Sequence, residues 1–394
     1  LIMVEFEFWW LLIIPLFFGL GWFAARIDIA QIISESTDLP SAYFKGLNFL
    51  IKNQYEKAAE AFSHAVKINN ESLEIHFVLG SLYRRTGQLD KAINLHIDLL
   101  ETRELNQKQQ ESVKAELALD YFKAGLYDRS EELLHSLNKD NYHQFSLNTL
   151  LDIYSKEREW NKAIKIATEL EKISGVSFRE NISHFYCEIA VVYILEKNIN
   201  KANESLRKAL DEYKNCVRAN ILLGDICESE ERFEEAISYW KKVEYQQPEY
   251  LGLVASKILN IYQRLNKLNE GLSVLSGYYD LYNLKTLLSI LYSAIMSNEG
   301  PEKAETIARN ELIQRPSLLA LDQLFEAHAI SKTSGIDNIE LIQQTIKNAI
   351  GDRRFYSCTK CGFQARQFHW HCPACNSWES FPSEPIDIIQ DNKT

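Results

Sequence analysis

Positive charge is in deficit. The 394 residues carry 54 Asp and Glu against 43 Lys and Arg, a formal net charge of −11. Nonspecific nucleic-acid binding rests on neutralising phosphates with Lys and Arg, so this balance excludes that class of partner. Proline (8) and glycine (15) are sparse while 46% of the chain is hydrophobic, as expected of a helical protein long enough for two or three domains. Catalytic signatures are missing as well. There is no P-loop, no H-E-x-x-H, no nucleophile-elbow G-x-S-x-G and no dinucleotide G-x-G-x-x-G. The plentiful Asp and Glu fall on exposed helix positions and form no constellation, so no catalytic residue is assigned and the chain is read as a non-enzyme. A disulfide framework is lacking too. The cysteines number 7, an odd count, and Cys187, Cys216 and Cys227 are scattered on apolar helical faces as buried free thiols. That usage points to a reducing compartment.

The other four cysteines are concentrated. Cys358, Cys361, Cys372 and Cys375 form a C-x2-C-x10-C-x2-C pattern inside 18 residues. Each pair can present two thiolates from one tight turn, and two such turns complete a tetrahedral S4 site for one metal ion, zinc or iron. Gly362 and Asn376 follow the second Cys of each pair and tolerate a left-handed backbone, which aims N–H groups at the sulfurs. A redox reading of one C-x2-C needs a βαβ context that is missing. His369 and His371 flank the site, but four cysteines already saturate tetrahedral zinc, so packing or supporting roles are expected of them. About 27 residues bury too little surface to fold alone, and metal ligation of about 10–16 kcal/mol would supply what the core lacks. Phe363, Phe368, Trp370 and Trp378 are too many aromatics for a solvated knuckle. We expect the module to fold back on the preceding helices, with Phe363, Phe368 and Trp370 as the contacts.

At the other end, Phe8 to Ala25 is an 18-residue run without charge. As a helix it spans roughly 27 Å, close to the hydrocarbon thickness of about 30 Å. Trp9, Trp10 and Trp22 lie near its ends, where interfacial aromatics belong. Glu5 and Glu7 stand where a signal peptide would carry Lys or Arg, and no small-x-small cleavage site follows, so the run reads as an uncleaved anchor. Arg26 places the bulk of the chain on the cytoplasmic side by the positive-inside rule, and the thiolate cluster points the same way.

The middle of the chain repeats itself. Gly46, Phe49, Ala58, Phe62 and Ala65 recur 34 residues later as Gly80, Tyr83, Ala92, His96 and Leu99. Further copies are built on Ala118 and Tyr121, on Leu151, Tyr154, Ala163 and Ala167, and on Ala190, Tyr193, Ala202 and Leu206. Leu223, Gly224, Cys227, Ala236, Trp240 and Pro248 make the cleanest copy, Tyr262, Gly271 and Leu275 another, and Ala304, Ala308 and Pro316 mark a degenerate last one. Small residues in both helices of a pair allow close approach, and the large ones fill the space between pairs. Turn signals separate them at Asn53-Gln54, Gly87-Gln88, Gly125-Leu126 and Asn198-Ile199-Asn200. The pattern resembles the tetratricopeptide repeat, a 34-residue helix-turn-helix whose arrays bind proteins. Inserts at Glu101–Glu111 and Ser174–Asn181 are expected to lengthen the connections between repeats. Arg84-Arg85 is read as solvated surface charge, with contact to an acidic partner as the alternative. Leu318–Ala329 and Ile339–Ile350 read as two further amphipathic helices.

Together these parts resemble the lipopolysaccharide assembly protein B family of Gram-negative bacteria. The matching stretches are Gly46-Leu47-Asn48-Phe49-Leu50, Gly125-Leu126-Tyr127-Asp128-Arg129, His184-Phe185-Tyr186-Cys187-Glu188 and the terminal Cys motif with Gly362-Phe363 and Trp370-His371. The expected fold is all-α: a tetratricopeptide-repeat α-solenoid over residues 31–350, an N-terminal transmembrane helix within 1–30 and a small rubredoxin-like four-Cys metal knuckle over 351–394. The resemblance implies a single-pass inner-membrane protein facing the cytoplasm. It implies an adaptor that promotes degradation of the lipid A-committing deacetylase by a membrane-bound ATP-dependent zinc protease, antagonised by an inner-membrane regulatory protein. A tethered rubredoxin-type electron carrier and a general scaffold for lipopolysaccharide assembly, contacting lipopolysaccharide transport proteins, are the rival readings. A homo-oligomer is compatible with all three.

Overall fold

The computed structural model describes residues 41–68, 72–331 and 354–384, together with positions 19, 344–346, 348, 386 and 387. Helices α1 (41–51), α2 (Tyr55–Ile68), α3 (Leu73–Arg85), α4 (Leu89–Thr102), α5 (Gln107–Lys123), α6 (Tyr127–Ser136) and α7 (Lys139–Glu157) belong to one compact unit ending at Glu159. A second unit, from Trp160 onward, holds α8 (Trp160–Ser174), α9 (Arg179–Leu195), α10 (Ile199–Glu212), α11 (Val217–Ser229) and α12 (Phe233–Gln246). It continues through a short 3₁₀ helix (Pro248–Leu253) to α13 (Ala255–Arg264), α14 (Leu268–Tyr282), α15 (Lys285–Asn298), α16 (Pro301–Gln314) and α17 (Leu318–Ser331). The same unit ends in three short strands, β1 (Arg354–Ser357), β2 (Gln364–Ala365) and β3 (Ile386–Asp387), in the antiparallel order β2-β1-β3.

Within each unit consecutive helices pack in chain order, and the packing follows from the repeat residues. Ala58, Ala92, Ala118, Ala163, Ala190, Ala202 and Ala236 have no exposed surface. Gly46, Gly80 and Gly224 each face the large side chain sixteen residues on: Phe62, His96 and Trp240. A Cβ added at Gly46 would lie 2.6 Å from the Phe62 ring, so the helices can approach this closely only over glycine. The turn inside a pair is equally regular. Gln54, Gln88, Leu126, Asn198, Arg232 and Lys267 donate their N–H groups at 2.8–2.9 Å to the carbonyls of Phe49, Tyr83, Tyr121, Tyr193, Cys227 and Tyr262. The preceding residue is left-handed each time, Asn53, Gly87, Gly125, Lys197, Glu231 or Asn266, which is the Schellman ending of a helix. The Asn198 turn signal is shifted by one residue. Lys197 takes the left-handed position, and the Asn198 side chain caps α10 by accepting from Lys201 N.

Two expectations are corrected. The inserts do not become long connections: only 103–106 separate α4 from α5, and 175–178 separate α8 from α9. The extra residues extend α5 and α9 to 17 residues each; Asn106 and Gln109 form a capping box that starts α5 early, whereas α9 begins after Phe178 without a side-chain cap. Arg84 is not a solvated charge. Its guanidinium bonds Glu116 Oε2 at 2.5 Å and Asp120 Oδ1 at 2.7 Å, while the other oxygen of the fully buried Asp120 meets His96 Nδ1 at 2.5 Å. Arg85 lies over the Tyr55 ring, 4.5 Å from its centroid. Leu318–Ala329 is helical as expected, within α17. Apart from Gly19, the Phe8–Ala25 anchor lies outside the described residues, as does most of the Ile339–Ile350 helix. Among the described residues no helix is long and apolar enough to cross a membrane.

Candidate metal centre

The two Cys pairs fold into matching knuckles. β1 delivers Cys358, whose carbonyl accepts from Gly362 N and whose N–H donates to Phe363 O, both at 2.9 Å. In the second knuckle the Cys372 carbonyl accepts from Asn376 N and its N–H donates to Ser377 O, again at 2.9 Å. Gly362 and Asn376 both have positive φ, 75° and 56°, as their residue types lead one to expect. The left-handed step turns the chain so that neighbouring N–H groups face the sulfurs.

All four sulfurs lie within 4.8 Å of one another, with Cys358 to Cys375 and Cys361 to Cys372 at 3.7 Å. A tetrahedral metal with sulfurs about 2.3 Å away separates them by roughly 3.8 Å, so the set fits one zinc-class or iron ion. The separation is far too long for a disulfide. Burial raises the Cys358 thiol, but the Ser380 hydroxyl and the N–H groups of Cys361 and Lys360 outweigh it and bring it down to about 6. Ser377 lowers Cys375 in the same way. The Phe363 N–H favours the Cys361 thiolate, yet burial and the adjacent sulfurs push that thiol up to about 12. Four thiolates so close repel one another, and a bound cation would supply the charge that lets all four ionise. Cys358 and Cys372 are buried, whereas Cys361 and Cys375 reach the surface.

The module does fold back on its own unit. Trp378 is almost fully buried, stacked on His184 of α9 with ring centroids 4.7 Å apart and planes at 8°. Phe185 and Trp160 meet Trp378 edge-on at 6.1 and 6.3 Å, and His371 covers it at 4.4 Å. Phe368 and Trp370 pack against the core around Trp240 and Ile258, Trp370 lying 5.2 Å from the Tyr250 ring. Polar contacts pin the edges. Gln247 donates to Glu379 Oε2 at 3.2 Å, Thr286 N donates to Glu384 Oε1 at 2.9 Å, and Ser383 Oγ donates to Glu249 O. Phe363, expected as a contact, follows the left-handed turn at Gly362 and stays 39% exposed. His369 packs on Phe381 and His371 on Trp378, as the packing expectation has it.

Sequence reasoning counted Trp378 among the aromatics that must pack but did not name it as a contact, and it did not find His184, Tyr250 or Glu379 as docking residues. One signal was present: His184 stands in a stretch that carries the family resemblance, with Glu180 one helical turn before it. The general statement that acidic residues form no constellation fails here, since Glu180, His184 and Glu379 come together at this seam.

Residues 356–382 match a family described as a rubredoxin metal binding domain. Tetratricopeptide repeat families match residues 39–72, 76–110 and 197–249, and a PPR repeat matches 145–173. Lipopolysaccharide assembly protein B of Escherichia coli (strain K12) is 29% identical over 373 residues, covering 94% of this chain and 96% of that protein. Its Haemophilus influenzae namesake is 28% identical over 393 residues, covering 97% and 98%. Nearly end to end, the chain is similar to lipopolysaccharide assembly protein B. The resemblance read from the repeats and the Cys motif is thereby borne out, and each relative is covered over 96–98% of its own length. Among solved structures, the MamA protein superposes with a TM-score of 0.33 at 18% identity, covering 45% of this chain and 92% of that one. The C-terminal part of a repeat protein from Cytophaga hutchinsonii gives 0.36 at 16% identity, covering 68% and 99%. Likenesses this slight carry no argument.

Proposed function

We propose that the chain is a membrane-anchored, non-enzymatic adaptor in the control of lipopolysaccharide biosynthesis. In this reading it promotes degradation of the lipid A-committing deacetylase by a membrane-bound ATP-dependent zinc protease. Residues 1–30 serve as the inner-membrane anchor, 31–350 as the binding array on the cytoplasmic side and 351–394 as the metal module. An inner-membrane regulatory protein antagonises it. The observation that carries the reading is the similarity to lipopolysaccharide assembly protein B over 94–97% of the chain, repeats and knuckle included. Physical support comes from stacked helix pairs of the kind that bind proteins, with no catalytic motif in the sequence. Holding protease and substrate on one membrane plane raises their effective concentration without new chemistry.

The metal would be structural. Held by Cys358, Cys361, Cys372 and Cys375, it would fix two turns that cannot fold on their own core and so present Trp370 and Trp378 to the repeats. The deciding experiment is the half-life of the deacetylase in cells with and without this protein, and with Phe8–Ala25 deleted. Slow turnover in both deficient strains supports the adaptor. Unchanged turnover without the protein would overturn the reading, and unchanged turnover in the deletion strain alone would overturn its membrane part. A tethered electron carrier is the second reading, favoured by the surface position of Cys361 and Cys375. A colourless zinc protein without a reversible reduction wave would dismiss it.

A further inference from the structure

Among the described residues, a second group of side chains brings three ligand atoms within 4.8 Å of one another: Glu180, His184 and Glu379. Glu180 and His184 stand at i and i+4 on α9, hence on one face of the helix. Glu379 comes from the knuckle, so the group straddles the docking seam. His184 has no exposed surface, yet neither ring nitrogen has a hydrogen-bond partner. Its Nε2 lies 3.1 Å from Glu379 Oε1, but the two are misaligned for a hydrogen bond, and that oxygen also lacks one. Buried polar atoms are rarely left so, because each costs about 1–3 kcal/mol.

Glu379 is held in place from the other side. Gln247 donates to its Oε2, leaving Oε1 directed at His184, and its φ of 45° is one that residues other than glycine seldom adopt. Beside the group lies a cavity of about 440 Å³ lined in part by Glu180, Glu249, Tyr250 and Glu379. Burial, together with the carboxylates of Glu379, Glu249 and Glu180, pushes the Tyr250 hydroxyl up. Acidic charge has been gathered around a buried imidazole.

We propose that Glu180, His184 and Glu379 bind a divalent transition-metal ion of the zinc class, in a site separate from the four cysteines, which latches the knuckle onto α9. A metal about 2.1 Å from His184 Nε2 and Glu379 Oε1 closes their gap at an angle of roughly 95°, within reach of ordinary coordination. The adjoining cavity has room for a water ligand. One imidazole and two carboxylates form a harder and weaker donor set than four thiolates, so the two sites differ in affinity and in metal preference.

The test uses the full-length protein with its cysteine site already filled. Zinc sulfate is titrated in by calorimetry, bound metal is counted after desalting, and cobalt is used in parallel. Cobalt on thiolates gives intense charge-transfer bands, whereas cobalt on nitrogen and oxygen gives only weak ligand-field bands. The wild type is expected to take up one further equivalent, lacking the charge-transfer signature. Glu180→Gln, at an exposed helix position, and Glu379→Gln should each lose that equivalent while the cysteine-bound metal stays. The proposal is overturned if the wild type takes up no further zinc, or if both variants bind it as the wild type does. His184 and Glu379 would then be a close contact that holds no metal.

Discussion

Trp378→Ala should release the metal knuckle from the repeats without emptying it. The indole is 6% exposed, lies between the His184 and His371 rings and touches Phe185 and Trp160 at its edges. Truncating a buried Trp costs about 3–5 kcal/mol. Stacking supplies about 0.5–1.5 kcal/mol beyond burial itself. None of the rings named ligates the cysteine-bound metal, so the loss falls on docking. At about 1.4 kcal/mol per factor of ten, the undocked population should rise at least about a hundredfold. Native-state hydrogen exchange reads this directly: amides of the 3₁₀ helix Pro248–Leu253 and of the knuckle should lose protection by that factor, while those of α13 and α14 change little. Metal content should remain that of the wild type at the cysteine site. Unchanged protection in the 3₁₀ helix would refute the docking argument, and loss of the cysteine-bound metal would refute the independence of the two turns.

Cys372→Ser should abolish binding at the four-sulfur site, disorder the knuckle and speed proteolysis of the adjoining helices; metal analysis and limited proteolysis check both. Gly224→Ala sets a Cβ into the Trp240 indole, and overpacking of this kind should cost about 1–3 kcal/mol, read from the urea midpoint. Asp120→Asn leaves the Arg84 guanidinium paired only with Glu116 and removes the charge facing His96. Breaking a buried pair costs about 3–5 kcal/mol, so this single isosteric change should lower the thermal midpoint of the full chain clearly.

The repeats were legible because their physics is local and periodic. A small residue in the first helix of each pair, glycine at Gly46, Gly80 and Gly224 where it faces a large side chain sixteen positions on, and a left-handed residue at the turn leave a trace in sequence. The cysteine site was legible for the same reason, since ligand spacing and turn chemistry lie within a few residues of each other. What escaped depends on partners far along the chain. Arg84 looks like any surface arginine until α5 brings Asp120 beside it. Trp378 gives no hint that its partner is His184, nor Tyr250 that it will meet Trp370. The longer α5 was hidden because Asn106 and Gln109 sit in a segment that reads as an insertion, although their spacing is that of a capping box.

In a stack of repeats each pair touches only its neighbours, so such arrays fray from their ends and melt in stages. The knuckle changes this for its unit. It grips α9 through Trp378, the 3₁₀ helix through Ser383 and the start of α15 through Glu384, contacts that bridge 98 to 134 residues of chain in the hydrogen bonds at Thr286, Gln247 and Glu249. A line of springs is thereby closed into a loop. Helices α9 to α15 can no longer open one by one, and a ligand on four sulfurs at the chain's far end sets how cooperatively the middle of the array holds its shape.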